Sequence, residues 1–269
     1  MGNSGSANDW ALILGASSGF GGSTAVELAK HGFHIFGVHL DRKATLPNAE
    51  RIVQEIQSQD RKAVFFNMNA SDPEKRQEAI VAMKEEVSRT GEHSQIRVLM
   101  HSLAFGTLRR FIPEDPKETL TKAQMDMTLE VMANSLVYWT QALLFNQLMR
   151  KGGRIYAMTS SGGHRVWASY GPVSAAKAAL ESHCRQLALE LAPRGITVNA
   201  IQAGVTDTPA LRKIPGNEEM VAFAREKNPM GRLTTPEDVA KAIVLLCHES
   251  NSWMTGNVIR VDGGEDITG

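Results

Sequence analysis

Apolar runs of strand length alternate along this chain with segments of helical period. Residues 11–14 form a short buried strand in this reading. A helix follows over 19–31, with Ala25, Leu28 and Ala29 on one face. A second strand is expected at 33–40, a helix at 48–59 and a third strand at 63–68. Ser71-Asp72-Pro73 supplies a cap and a first-turn proline for a charged amphipathic helix over 73–89. The fourth strand is 96–101. Two long helices are predicted near 129–149 and 173–191, with strands at 154–158 and 197–201. Pro236 opens a last helix to His248, and 257–261 is the last strand. This alternation predicts an α/β fold: a Rossmann-type, doubly wound parallel sheet in a single domain over 9–269. Residues 1–8 read as a flexible polar tail. The irregular stretch 206–232 carries Pro209, Pro215, Gly216 and Pro229 around a helix-like segment at 217–227. An insertion just past a strand end predicts a lid.

Composition narrows the classes. The 269 residues hold 29 Lys plus Arg and 29 Asp plus Glu. A zero net charge asks for no nucleic acid and no acidic membrane as partner. No apolar run reaches the length of a membrane span. Cys184 and Cys247 lack metal-ligand spacing and are expected as reduced core thiols of a cytoplasmic protein, with no metal site. The start, Met1-Gly2-Asn3-Ser4-Gly5-Ser6, formally fits a myristoylation pattern but is expected to be only the polar tail.

Two groups of residues carry candidate chemistry. Gly15-Ala16-Ser17-Ser18-Gly19-Phe20-Gly21 joins a strand to a helix. Glycines there permit a tight turn and close approach to a pyrophosphate, and the helix start offers free N–H groups. An ordinary strand-helix turn would show glycines too; the β-α pattern behind this loop favours a dinucleotide. Farther on, Tyr170 precedes Lys177 by seven residues, with Pro172 at a first-turn position. Seven residues rotate a helix by about 700°, which leaves phenol and ammonium within roughly 40° of one face and about 10.5 Å apart along the axis.

These pieces together resemble a short-chain dehydrogenase/reductase over nearly the whole chain. The matching segments are Gly15–Gly21, Asn69-Ala70, His101–Gly106, Asn134, Tyr170 with Lys177, Val198-Asn199-Ala200, Ala203-Gly204 and Val261-Asp262-Gly263-Gly264. The common family pair is Tyr-x3-Lys, but Val173 stands four residues before Lys177 and cannot donate a proton. The Tyr-x6-Lys spacing resembles the enoyl-acyl-carrier-protein reductases, as do Met100–Phe105 and 207–232. Those enzymes commonly carry a second tyrosine ten residues before the catalytic one; here that position is Ser160, followed by Ser161.

The resemblance implies an NAD(P)H-dependent reductase of enoyl thioesters in fatty acid biosynthesis. Tyr170, Lys177, Ser160 and Asn134 are the implied catalytic set. Gly15, Ser17, Ser18, Gly19, Phe20, Gly21, His39, Arg42, Asn69, Ala70, Ser102, Leu103, Ala104, Lys177, Gly204, Thr206 and Thr208 are the implied cofactor contacts. His39 occupies the place where NAD-preferring members carry an acid. Arg42 and Lys43 follow Asp41, and the cations favour NADP(H) over NAD(H). His101, at the end of a strand, fits a site role or a bland one equally. His164 and Arg165 read as solvated loop charges. The implied partners are an acyl thioester, on acyl carrier protein or coenzyme A, and further copies of the chain in a homotetramer. Pairing is expected through Tyr138, Trp139, Leu143, Leu144, Leu180, Leu187 and Leu191, whose stripes would otherwise face water. Enoyl-CoA, 2,4-dienoyl-CoA and carbonyl reduction are alternatives. A non-catalytic NAD(P) sensor is a different class, disfavoured because a sensor needs no proton donor.

Overall fold

The computed structural model describes residues 8–268, so the polar tail and its myristoylation pattern lie outside the described residues except for Asn8. Seven parallel strands form one sheet in the order β3-β2-β1-β4-β5-β6-β7. They are β1 Trp10–Leu14, β2 His34–His39, β3 Ala63–Asn67, β4 Ile96–His101, β5 Arg154–Ser160, β6 Thr197–Ala203 and β7 Val258–Val261. Side chains alternate across the strands. Trp10, Leu12 and Leu14 enter one core, while Ala11 and Ile13 enter the other. The first core receives α3 (Pro73–Thr90), α5 (Ser135–Phe145) and α6 (Gly171–Leu191). The second receives α1 (Gly19–Lys30), α2 (Leu46–Gln57) and α8 (Pro236–Leu246). With both faces covered, β1 is apolar throughout and β4, β5 and β6 are mostly apolar, as parallel sheets require. No helix among the described residues is long and apolar enough to cross a membrane.

The long helix expected at 129–149 is built differently. It starts earlier, as α4 (Lys122–Leu129), where Thr121 and Gln124 form a reciprocal capping box. A π turn at Glu130–Asn134 then joins α4 to α5, which ends at Phe145. The Ser135 hydroxyl donates to the Val131 carbonyl at 2.8 Å within this irregular turn. Such turns are frequent at functional sites.

The leucine stripes expected to pair subunits are instead largely spent inside the chain. Trp139, Leu143, Leu180, Leu187 and Leu191 are all buried in the first core, and Leu144 is partly buried against it. Three-layer packing consumes these faces, so they supply no argument for oligomerisation. Trp139 also donates its indole N–H to the Ala70 carbonyl at 2.8 Å, tying α5 to the loop after β3. Trp139→Ala is expected to lower unfolding stability by about 3–5 kcal/mol, read from the midpoint and slope of urea denaturation.

Candidate active site

The strand order reverses at β1, so the connections that leave β1 and β4 at their carboxyl ends run to opposite faces of the sheet and open a crevice there. Gly15 lies there with φ +92°, and its N–H donates to the Val38 carbonyl at 2.8 Å. A Cβ on Gly15 would collide with the Ser102 carbonyl, and one on Gly21 with the Gly15 carbonyl. Gly19 has φ +53° and faces Thr208, whose methyl would lie 3.5 Å from a Cβ there. Helix α1 starts without a side-chain cap or an acidic residue in its first turn. Its N–H groups are therefore left for a ligand, and this glycine-lined helix start fits a pyrophosphate. Ser18 is the extended N-cap residue. Phe20 contributes backbone here, since its ring packs toward the second core. Leu103 lies beside Gly15, and Ala104 is exposed at the mouth.

At the far end of the crevice, His39 is buried and its Nδ1 meets Asp41 Oδ2 at 2.8 Å. The Nδ1 edge of the ring is thus taken up by Asp41. The Asp41 backbone is held by Asn67 through N–H to Oδ1 at 2.9 Å and Nδ2 to carbonyl at 3.0 Å. Burial pushes the Asp41 carboxyl up, but hydrogen bonds with Thr45, Ser17 and His39 outweigh it and leave the group below its ordinary value. Arg42 and Lys43 are exposed. Asn69 closes its own turn, accepting from the Ser71 N–H and hydroxyl, and the Ala70 carbonyl is taken by Trp139. On the opposite wall, Thr206 donates to the Gly204 carbonyl at 3.0 Å. Thr208 accepts from the Leu211 N–H at 3.2 Å.

Tyr170 is the N-cap residue of α6, with Pro172 in the first turn. The preceding Ser169 has φ +64°, a left-handed conformation unusual for a residue with a side chain. The Gly162 backbone lies so close to the phenol ring that a Cβ there would collide with it. Burial pushes the Tyr170 phenol up, and the nearby Ser160 hydroxyl offsets part of that rise. The Ser160 hydroxyl and the phenol ring both flank Gly162, and the hydroxyl is buried without a hydrogen-bond partner. Ser161 instead turns the loop, its carbonyl accepting from the His164 and Arg165 N–H groups. Lys177 is buried nearly two turns into α6, and its Nζ donates to the Met158 carbonyl at 2.7 Å. Burial lowers its pKa to about 8, opposed by Glu181, which in turn accepts from the Thr159 hydroxyl at 2.6 Å. His101 is neutral: burial, then the Lys177 charge, bring it down to about 3, and its Nε2 meets the Ser135 hydroxyl at 2.8 Å.

Asn134 closes the π turn just before α5. Its Nδ2 donates to Glu130 at 3.1 Å and its Oδ1 lies 3.2 Å from His183 Nε2, because the π turn directs the amide to those neighbours. His164 and Arg165 are not simply solvated: both pair with Asp266. Composition and spacing gave no sign of that contact, which joins residues about a hundred positions apart.

Residues 15–265 match the family described as Enoyl-(Acyl carrier protein) reductase. The chain is 28% identical over 273 residues to cyclohexanol dehydrogenase of Rhodococcus sp. (strain TK6), covering 94% of each. It is 33% identical over 178 residues to the NADH enoyl-[acyl-carrier-protein] reductase of Synechocystis sp., covering 65% of this chain and 66% of that one. Among solved structures, a short-chain dehydrogenase from Burkholderia cenocepacia in complex with NADP superposes with TM-score 0.81 at 26% identity, covering 96% of this chain and 98% of that chain. An enoyl-[acyl-carrier-protein] reductase (NADH) from Aquifex aeolicus gives TM-score 0.81 at 26% identity, covering 97% of each. The glycine-lined crevice, the tyrosine and lysine of α6 and a match spanning almost the whole sheet agree, and the chain belongs to the short-chain dehydrogenase/reductase superfamily of oxidoreductases.

Proposed function

We propose that this protein reduces the 2,3 double bond of enoyl thioesters with NADPH, as an enoyl-acyl-carrier-protein reductase of fatty acid biosynthesis. The observation that carries the proposal is the place of Tyr170. It stands at the start of α6, seven residues before Lys177, while the usual tyrosine position is filled by buried Val173. Carbonyl reduction develops charge on the oxygen bound to the carbon that receives hydride, so its donor must lie close to that carbon. In an enoyl thioester the hydride goes to the β carbon and charge collects on the thioester oxygen, several bonds away. A phenol shifted along the helix suits the second geometry.

NAD(P)H, when bound, supplies the hydride. The α1 start and the glycine loop would hold its pyrophosphate, and Lys177 its nicotinamide ribose hydroxyls. Tyr170 would donate a hydrogen bond to the enolate oxygen, aided by Ser160. A neutral His101 behind Lys177 leaves the ammonium as the cation facing that charge. The NADPH reading rests on exposed Arg42 and Lys43, next to an Asp41 carboxylate already hydrogen-bonded by neighbours. Residues 206–232 are proposed to close over the acyl chain. In α7 (Asn217–Lys227) only Ala224 is buried, and Phe223 is 52% exposed, so little apolar surface holds the segment down. A homotetramer remains part of the reading, supported by family membership and not by the buried leucines. Carbonyl reduction is the second reading, favoured by Ser160 beside the phenol and by the similarity to an alcohol dehydrogenase.

The deciding assay follows loss of nicotinamide absorbance with crotonyl and acetoacetyl thioesters, on both carriers. Crotonyl thioester is expected to turn over faster; a faster acetoacetyl reaction overturns the enoyl reading. Tyr170→Phe should slow reduction by about 10²–10⁴-fold while cofactor affinity, titrated by fluorescence, stays nearly unchanged. For the cofactor, Arg42→Ala should raise KM for NADPH and leave KM for NADH nearly unchanged. A wild-type enzyme that prefers NADH contradicts the assignment. The pH profile follows from Lys177: its pKa is depressed, so the ammonium predominates below about pH 8 and is lost as pH rises through that value. Hence kcat/KM, which reports the free enzyme, should fall on the alkaline side of about pH 8.

A further inference from the structure

The last described residues tie three parts of the site together. The Asp266 side chain is 3% exposed, and its carboxylate meets cations from two segments. Oδ1 lies 2.9 Å from Arg165 Nε and 3.2 Å from His164 Nε2, while Oδ2 lies 3.1 Å from Arg260 Nε. Arg165 Nη2 also donates to the Asp266 carbonyl at 2.5 Å. The Asp266 N–H in turn donates to Asp262 Oδ2 at 3.0 Å. Next to it, the Glu265 carboxylate accepts from the Val205 N–H at 3.1 Å, on the cofactor side of β6. On the other side, the Thr268 hydroxyl donates to the Lys227 carbonyl at 2.9 Å, and Asn228 Nδ2 donates to the Asp262 carbonyl at 2.8 Å. Both of these contacts grip the end of α7.

His164 and Arg165 belong to the loop that leads from Ser161 into Tyr170. Farther along that loop, Trp167 Nε1 donates to the Pro215 carbonyl at 3.0 Å, just before α7. The loop ends at Ser169, whose left-handed φ of +64° persists only where the surroundings hold it. A surface ion pair would hold little, but this acceptor is buried and serves several donors at once. Burial raises the Asp266 carboxyl, and hydrogen bonds with Gln202 and His164 outweigh that effect, which leaves it ionised at neutral pH.

Resting on the reading of Tyr170 as the donor to substrate, we infer that Asp266 is a positioning residue that fixes the Tyr170 loop and joins it to the end of the lid helix. The placement of the phenol and the placement of the lid are then set by one carboxyl-terminal turn.

Asp266→Asn keeps the shape and removes the charge. Turnover of the enoyl thioester is expected to fall about tenfold while cofactor Kd changes less than about twofold, and the hydrogen-bonded amides of Arg165 and Tyr170 should exchange about tenfold faster. Asp266→Glu, which keeps the charge, should recover part of the turnover. Wild-type exchange at Arg165 and Tyr170 in Asp266→Asn overturns the inference, and so does faster exchange with unchanged turnover. A wild-type enzyme inactive on both enoyl and ketoacyl thioesters overturns the proposed reaction instead, and the exchange measurement still decides the role of Asp266. Should Asp266→Asn fail to fold, Thr268→Val tests the lid arm. Exchange at the Asn228 amide must then rise, and an unchanged rate there overturns the coupling.

Discussion

Just past the carboxyl ends of β1 and β4, the backbone of Gly15 lies directly against the carbonyl of Ser102, and the backbone of Gly21 lies against the carbonyl of Gly15. No side chain fits at either point. This contact brings the start of α1 to the rim of the crevice and leaves its N–H groups without a protein cap. Thr208 faces Gly19 from the far wall, its methyl 3.5 Å from where a Cβ on that glycine would lie. The ligand-binding end of the sheet is thus defined by main chain, and side chains are added around it.

Charge is distributed around that frame with opposite signs at its two ends. Lys177 is buried beneath the crevice, with its ammonium on the Met158 carbonyl and Glu181 one turn away. His101, packed against it, is kept neutral and adds no competing cation. Asp41 carries the negative charge at the other end, held by donors from the loop after β1, from β2 and from the turn that follows β2. Each buried ion has hydrogen-bond partners, which is the condition for keeping it charged away from water. The Tyr170 phenol, at the start of the helix that carries Lys177, is pushed toward its protonated form by burial.

Much of this was legible in the residues. Apolar runs of strand length and period-3.6 patterns located all seven strands and most helices to within a few positions, because a three-layer α/β fold buries both faces of its central strands. The glycine loop and the Tyr170-Lys177 spacing were readable for a related reason. Each depends on local geometry, a tight turn in one case and a helical repeat in the other. The start of α4 was legible in principle, since Thr121 and Gln124 form its capping box, but the weak apolar pattern that follows hid it.

Sequence by itself therefore determined the order of elements, the crevice loop and the displaced tyrosine, all set by interactions between residues close along the chain. Tertiary structure alone decided which apolar stripes were consumed by the core. It turned the Asn134 amide to His183 through a π turn, folded His39 onto Asp41, and brought Asp266 to Arg165. Except for the His39 contact, these are meetings of distant segments. Their geometry depends on how layers pack and where a helix gains an extra residue, and no local periodicity records either.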